Sequence, residues 1–121
     1  RQQEVSELSR QLKVLARDLN VPIMVLAQLS RGAATRSDHT PVLSDLRESG
    51  AIEQDADMVL LLYRKALAMR NRKDDSEYGG APAEEIEDNT AEVIVAKNRN
   101  GPLKTVNLAF QGMFSRFVNP S

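Results

Sequence analysis

The run LSDLRESGAIEQDAD at residues 43–57, which leads directly into the apolar run MVLLLY at residues 58–63, is the most informative part of this chain. A charged loop that enters a buried strand is a common way to hold functional groups at the edge of a rigid sheet. Ser44 predicts the cap of a short helix that runs to Arg47 or Glu48, and Gly50 predicts its end. Residues 58–63 predict a strand buried on both faces.

The residues before this run predict one helix and a first buried strand. Apolar residues recur at three- and four-residue spacing over residues 2–19, which indicates an amphipathic helix with one apolar stripe: Val5, Leu8, Leu12, Leu15, Ala16 and Leu19. Asn20 and Pro22 predict the end of this helix. The unbroken apolar run at residues 23–27 then predicts a strand buried on both faces, as in parallel sheets.

The residues after this run predict an antiparallel meander. Residues 91–97 and 104–110 predict two strands joined by a turn at 98–102, where Asn-Gly supplies left-handed backbone. Gln111 and Gly112 predict a second turn, and residues 113–118 predict a final strand. Residues 65–90 are too long and too polar for a tight connection, so they predict a mobile insert. The fold class is therefore α/β, with parallel strands first and an antiparallel hairpin or meander at the C-terminal edge.

Composition limits the class of protein. The 121 residues, 41% of them hydrophobic, suffice for one compact core. A net charge of −1 means that any nucleic-acid binding must be local. The absence of cysteine excludes disulfides and thiolate chemistry, and no apolar stretch approaches the roughly 20 residues of a membrane helix. We expect a cytoplasmic protein, and a piece of a longer one, because the chain opens on Arg1 already in helical pattern.

Three polar residues stand where an α/β sheet could bind nucleotide. Gln28 follows the predicted strand at 23–27, at the edge where such sheets bind ligands, and its amide could donate to a phosphate oxygen. Lys97 and Arg99 flank the predicted turn and could stabilise charge on a transferred phosphoryl group. From the residues alone, a solvated glutamine and two solvated hairpin cations explain these positions better. Asp57 and its neighbour at position 55 could bind Mg²⁺, although capping and solvation explain them better.

The segment from residue 30 to residue 50 is a candidate contact for DNA. Its glycines and the predicted helix start expose backbone N–H groups, which bind phosphate without reading sequence, and Arg47 adds positive charge. Glu48 cannot attract phosphate, so it would pair with a basic group on a neighbouring subunit. No aromatic residue lies between Val21 and Tyr63, so base stacking is missing and the segment would hold backbone only. An ordinary surface turn with a salt bridge remains the alternative.

These motifs together resemble one family. The runs AQLSR at 27–31, LSDLRESGAIEQDAD at 43–57 and KNRNGP at 97–102 are similar to the C-terminal motor domain of replicative DNA helicases of the DnaB type. The resemblance covers nearly all of the chain and implies the C-terminal half of a RecA-like domain over residues 1–121. The chain departs from the pattern at His39-Thr40, where a basic pair is usual, at Lys104, where glycine is usual, and over residues 65–90.

The resemblance also implies an activity and a set of roles. It implies a homohexameric ring that uses ATP and Mg²⁺ to move along single-stranded DNA, with a primase and a helicase loader as partners. Gln28 would sense the γ-phosphate, while Lys97 and Arg99 would reach the ATP site of the adjacent subunit. The DNA loop would contain Arg47, Glu48 and Gly50.

The chain itself contains no GxxxxGK[ST] motif, so we expect these residues alone to be inactive as an ATPase and to be marginally stable or self-associating. Two other classes of protein remain open. A RecA-type recombinase or related ATPase would share the fold and Gln28, but not LRESG together with KNRNGP. A non-catalytic module that binds single-stranded DNA would bind it in a salt-dependent way by itself.

Overall fold

The computed structural model describes residues 2–29, 40–46, 49–64 and 89–120. Two helices and four strands form these parts. They are α1 (Gln2–Leu19), α2 (Ser49–Asp55), β1 (Met58–Tyr63), β2 (Thr90–Asn98), β3 (Lys104–Gln111) and β4 (Arg116–Val118), with 3₁₀ turns at Leu43–Asp45 and Gly112–Phe114. Among the described residues, no helix has both the length and the hydropathy that crossing a membrane requires.

The sheet is an antiparallel meander in the order β1-β2-β3-β4. The register between β1 and β2 shifts after Val59, which pairs with Lys97, because Leu60 pairs with Val95. Ala96 is therefore an extra residue on β2, which makes a β-bulge. Side chains along a strand point alternately to the two faces of the sheet, and a bulge reverses this alternation for the residues that follow it. Lys97 therefore lies on the face opposite to that of Val95.

The core draws on both faces of this sheet: Leu60 pairs with Val95 and Ala91 pairs with Leu108, so Ala91, Val95 and Phe110 lie on the face opposite to the buried residues of β1. Its buried residues come from the first three strands: Val59, Leu61, Tyr63, Ala91, Val95 and Phe110. Burial alternates strictly along β1, and Met58, Leu60 and Leu62 are about half exposed. The bounds predicted for this strand are confirmed, but the prediction that both faces are buried is wrong for the described residues, because only one face of β1 is covered.

The predicted bounds of α1 are confirmed, and so is its end at Asn20. Asn20 has a φ of 55°, its N–H donates to the Arg17 carbonyl, and the N–H of Val21 donates to the Ala16 carbonyl. This pair of bonds is a Schellman motif with a left-handed residue at its C-terminal end. The predicted apolar stripe is only partly covered by the described residues: Leu8 and Leu19 are 56% and 61% exposed, while Leu12 and Ala16 are half-buried.

The strand predicted at residues 23–27 is not formed. Residues 21–29 contain neither helix nor strand, and Met24 and Leu26 are 82% and 90% exposed. An extended segment becomes a strand only when a neighbouring strand satisfies its backbone groups. In the described part of the chain β1 pairs with β2 instead, so the expected parallel pairing is absent there.

The loop before β1 also differs from the prediction. Ser44 lies inside the 3₁₀ turn, where the side chain of Asp45 accepts a hydrogen bond from the Val42 N–H at 2.8 Å. Asp45 is buried and caps this turn in place of Ser44. Gly50 lies in the first turn of α2 and does not end a helix.

The turn at residues 98–102 is confirmed, but glycine is favoured at position 101 for a different reason from the one predicted. No glycine in the described residues has positive φ. A Cβ at Gly101 would instead lie 2.7 Å from Nδ2 of Asn98, so this position favours glycine because of the close approach of that side chain.

The last part of the meander is shorter than predicted. A 3₁₀ turn takes up Gly112–Phe114, and Ser115 has a φ of 48°, so β4 begins only at Arg116. The insert predicted at residues 65–90 lies outside the described residues, apart from a turn at Asn89 and the first residue of β2.

Replacement of Phe110 by leucine should destabilise the domain. The Phe110 ring is buried, lies 4.9 Å from the ring of Phe117, and has the guanidinium of Arg64 at 3.8 Å from its centroid. Loss of both ring contacts should lower the free energy of unfolding by about 1–2 kcal/mol, measured by chemical denaturation. Phe114→Leu is the matched control, because Phe114 is 68% exposed. Equal losses for the two variants would contradict this account of the core.

Candidate functional site

The end of β2 and the turn after it place two cations against the last turn of α2. Nζ of Lys97 donates to the Glu53 carbonyl, and Nη2 of Arg99 donates to the Gln54 carbonyl at 2.9 Å. The last carbonyls of a helix have no partner within the helix and carry partial negative charge. Lys97 and Arg99 thus cap the C-terminal end of α2, although they lie in a different part of the chain.

Asp57 joins this group of side chains from the residue before β1. Its Oδ1 accepts from Nη1 of Arg99 at 2.8 Å and from Nζ of Lys13 at 2.7 Å. The backbone N–H of Arg99 also donates to the Asp57 carbonyl at 2.9 Å. We call Lys13, Asp57, Lys97 and Arg99 the charged cluster. Three positive charges against one negative leave this cluster with a net charge of +2 at neutral pH.

The charged cluster is open to solvent and still perturbs the acid in its centre. The side chains of Asp57 and Arg99 are 61% and 44% exposed, and that of Lys13 is 27% exposed. The hydrogen bond from Lys13 holds the pKa of Asp57 below its ordinary value of 3.8. The charges of Lys13, Arg99 and Lys97 act in the same direction, while desolvation opposes them.

The structure brings together only some of the residues that the sequence singles out. Lys97 and Arg99 meet at the end of α2, and Gly50 lies exposed at the start of the same helix, with no atom within 4 Å of the position that a Cβ would take. Gln28 is exposed in the segment after α1 and is not among the described residues whose side chains bind Asp57. Arg47 and Glu48 lie outside the described residues.

Sequence reasoning missed Lys13 and the pairing of Asp57. Lys13 lies 44 residues before Asp57, and Arg99 lies 42 residues after it, so no local spacing could show these contacts. Within the described residues no group of three or more histidine, aspartate and glutamate side chains could hold a metal ion.

Comparison with solved structures shows the class of protein. The fold is similar to a solved ATPase domain, with a TM-score of 0.77 and 44% identity over 98% of this chain and 37% of that one. It is also similar to a DnaB-like replicative helicase whose structure is described with its interactions with primase, with a TM-score of 0.76 and 42% identity over 99% of this chain and 26% of that one. The chain therefore has the fold of part of a RecA-like ATPase core, as the sequence predicts.

Sequence comparison narrows this class to one family. The chain belongs to the family described as DnaB-like helicase C terminal domain, which matches residues 1–119. It is 55% identical over 119 residues to the replicative DNA helicase DnaB of Leifsonia xyli subsp. xyli. It is 50% identical over 119 residues to that of Geobacillus stearothermophilus. Each match covers 98% of this chain but 23% of the relative, so the chain spans about a quarter of their length.

Asp57 should make the stability of the domain depend on pH. Because its pKa is lower in the folded state, the ionised carboxylate stabilises that state at any pH above the ordinary value of 3.8. This contribution disappears as the pH falls through the lower, folded-state pKa. Chemical denaturation at pH 7 and pH 3 should therefore show a smaller loss of stability for Asp57→Asn than for the unmodified chain.

Asp55→Asn is the control for this measurement. Asp55 is the last residue of α2 and makes no ion pair with another described residue. Its replacement should leave the loss of stability between pH 7 and pH 3 closer to that of the unmodified chain. An equal effect of both replacements would show that the charged cluster has no particular part in the acid sensitivity.

Proposed function

We propose that this chain is the C-terminal part of the motor of a ring-shaped replicative DNA helicase, and that Arg99 and Lys97 act on ATP bound by a neighbouring subunit. The observation that carries the proposal is the way in which α2 and Asp57 hold these two cations at an exposed surface. Family membership supports the helicase role, since the relatives are named replicative DNA helicases.

The chemistry of the charged cluster suits phosphoryl transfer. Charge builds up on the oxygens of the γ-phosphate in the transition state, and a fixed guanidinium stabilises it. A guanidinium has five N–H donors, and the contacts of Arg99 with Asp57 and Gln54 use one donor on each of two nitrogens. The remaining donors are available to a phosphate, and the net charge of the cluster favours an anion.

ATP and Mg²⁺ would be bound mainly by parts of the protein outside these 121 residues, which contain no GxxxxGK[ST] motif. An arginine and a lysine that serve such a site from another subunit make hydrolysis a property of the interface. This favours a closed ring of identical subunits, with six as the expected number. A primase and a helicase loader would bind through other parts of the protein, in the cytoplasm.

The segment around Gly50 would hold single-stranded DNA. Gly50 is exposed and opens the first turn of α2, and Arg47 and Glu48 directly precede that helix. Backbone N–H groups at such a place bind phosphate without reading sequence, which suits an enzyme that moves along any strand. α2 would then connect the two sites, because DNA binds before its first turn and the cations bind its last carbonyls.

Gln28 would complete this arrangement as the sensor of the γ-phosphate. It follows α1 by nine residues, and α1 reaches the charged cluster through Lys13. A change at Gln28 on hydrolysis would have to act through residues 20–27, which contain neither helix nor strand, to reach Lys13 on α1.

Replacement of Arg99 by alanine in the full-length protein should abolish most of the ATPase activity. Loss of a trans-acting arginine should lower kcat by about a thousandfold, because the transition state loses its fixed positive charge. Lys97→Ala should lower kcat by a smaller factor. Steady-state ATP hydrolysis measures both. Arg116→Ala is the control, because Arg116 is another exposed arginine, bound to Gln111 at the far side of the sheet.

Mixed rings distinguish action in trans from action within one subunit. Protomers with Arg99→Ala should be combined with protomers that lack the phosphate-binding lysine of the upstream ATP site. If Arg99 acts in trans, intact ATP sites recur where the two kinds of protomer meet, and part of the activity returns. Rings that stay inactive at every mixing ratio would contradict the proposal.

Gly50→Ala should separate DNA binding from folding. Alanine has the higher helix propensity, and a Cβ at this position would contact no other part of the described chain, so the domain should be no less stable. The methyl group should nevertheless keep a DNA backbone away from the N–H groups. Fluorescence anisotropy with a labelled single strand should show weaker binding by the full-length protein. Unchanged affinity would show that DNA does not approach α2 at this residue.

A further inference from the structure

We infer that Asp57 is a positioning residue for Arg99, and that it fixes the guanidinium so that the unused N–H donors face a nucleotide on the neighbouring subunit. The inference rests on the proposed function, in which Arg99 contacts that nucleotide. It adds a residue whose side chain does not touch the nucleotide and acts through Arg99.

The contacts of Arg99 fix both the position and the plane of its guanidinium. Nη1 donates to Asp57 Oδ1 at 2.8 Å, and Nη2 donates to the Gln54 carbonyl at 2.9 Å. Because two nitrogens of the planar guanidinium each donate to a different acceptor, the group cannot rotate about its long axis. The backbone N–H of Arg99 is held too, by the Asp57 carbonyl at 2.9 Å, so residue 57 binds both ends of this arginine.

Lys13 keeps Asp57 from neutralising the arginine. The same carboxylate oxygen that accepts from Arg99 also accepts from Nζ of Lys13 at 2.7 Å. One negative charge is thus shared by two cations, so it offsets only part of the positive potential that Arg99 presents to a phosphate. The contact from α1 also fixes the carboxylate itself, which is why Asp57 can orient another side chain although it is 61% exposed.

The exposure of Asp57 and Arg99 indicates that Asp57 serves to position Arg99 more than to stabilise the fold. Ion pairs between exposed side chains typically contribute at most about 1 kcal/mol to stability, and Asp57 and Arg99 are 61% and 44% exposed. Small displacements of a catalytic group are far more costly to the rate, since a shift of about 1 Å can lower it about a hundredfold. An exposed carboxylate that binds two cations, Lys13 and Arg99, is therefore better explained by geometry than by stability.

The test uses the full-length ring with Asp57→Asn, and Asp55→Asn as the matched control. Asparagine keeps an oxygen acceptor but loses the charge that holds both cations. We expect kcat for ATP hydrolysis to fall by about tenfold to a hundredfold, with the KM for ATP changed by less than about twofold. Asp55→Asn should change neither constant appreciably. An unchanged kcat in Asp57→Asn, while Arg99→Ala is inactive, would overturn this inference and leave the proposed function standing.

A double-mutant cycle tests whether Asp57 acts through Arg99. In the Arg99→Ala background, Asp57→Asn should cause no further loss of kcat, because the group that it positions is gone. A loss as large as in the unmodified protein would show that Asp57 acts independently, and would overturn the inference. Full activity of Arg99→Ala alone would instead reject the proposed function.

Asp57→Glu provides the second variant should Asp57→Asn fail to form rings. Glutamate keeps the charge and moves the carboxylate outward by one methylene. We expect a kcat between those of the unmodified protein and Asp57→Asn, again with no effect in the Arg99→Ala background. Thermal denaturation and sedimentation of each variant show that folding and ring assembly are intact. A kcat for Asp57→Glu equal to that of the unmodified protein would overturn the inference.

Discussion

The carboxylate of Asp57 is the constraint on which the arrangement of the candidate site depends. It lies between α2 and β1 and binds Lys13 from α1 and Arg99 from the turn after β2. These partners are 44 and 42 residues away in sequence, so each contact closes a long loop at an entropic cost that local structure does not offset. Because one carboxylate binds two cations, it holds α1, the start of β1 and the turn after β2 together. The surface still has a net positive charge.

The short helix α2 connects the two functions that we propose for this chain. Its first turn contains Gly50, which is open to a ligand, and the carbonyls of its last turn accept from Lys97 and Arg99. A seven-residue helix is about 10 Å long and moves as a rigid body. A displacement of its N-terminal end by a polynucleotide would therefore shift the acceptors of both cations. In this proposal the backbone of one helix would carry the coupling, without a chain of intermediate side chains.

The sequence predicted local elements well and non-local ones poorly. α1, β1 and the hairpin of β2 and β3 follow from the spacing of apolar residues and from turn residues, and their predicted bounds agree with the structure within one or two residues. Residues 23–27 form no strand, since an apolar run becomes a strand only beside another strand. The bulge at Ala96 and the contact of Lys13 with Asp57 depend on the packing of distant segments, which no periodicity encodes.

The described residues expose an apolar surface and a charged surface, and we expect each to make a different kind of contact. The apolar face of α1, the segment at 21–26 and the outer face of β1 expose large hydrophobic side chains, among them Leu8, Leu26 and Leu62. Such surface is costly in water, and the relatives are about four times as long as this chain. We infer that the rest of the motor domain covers it. The charged cluster can stay exposed for a different reason, since its charged groups are well solvated. It could therefore remain open until a neighbouring subunit presents an anion, as the proposed site between subunits requires.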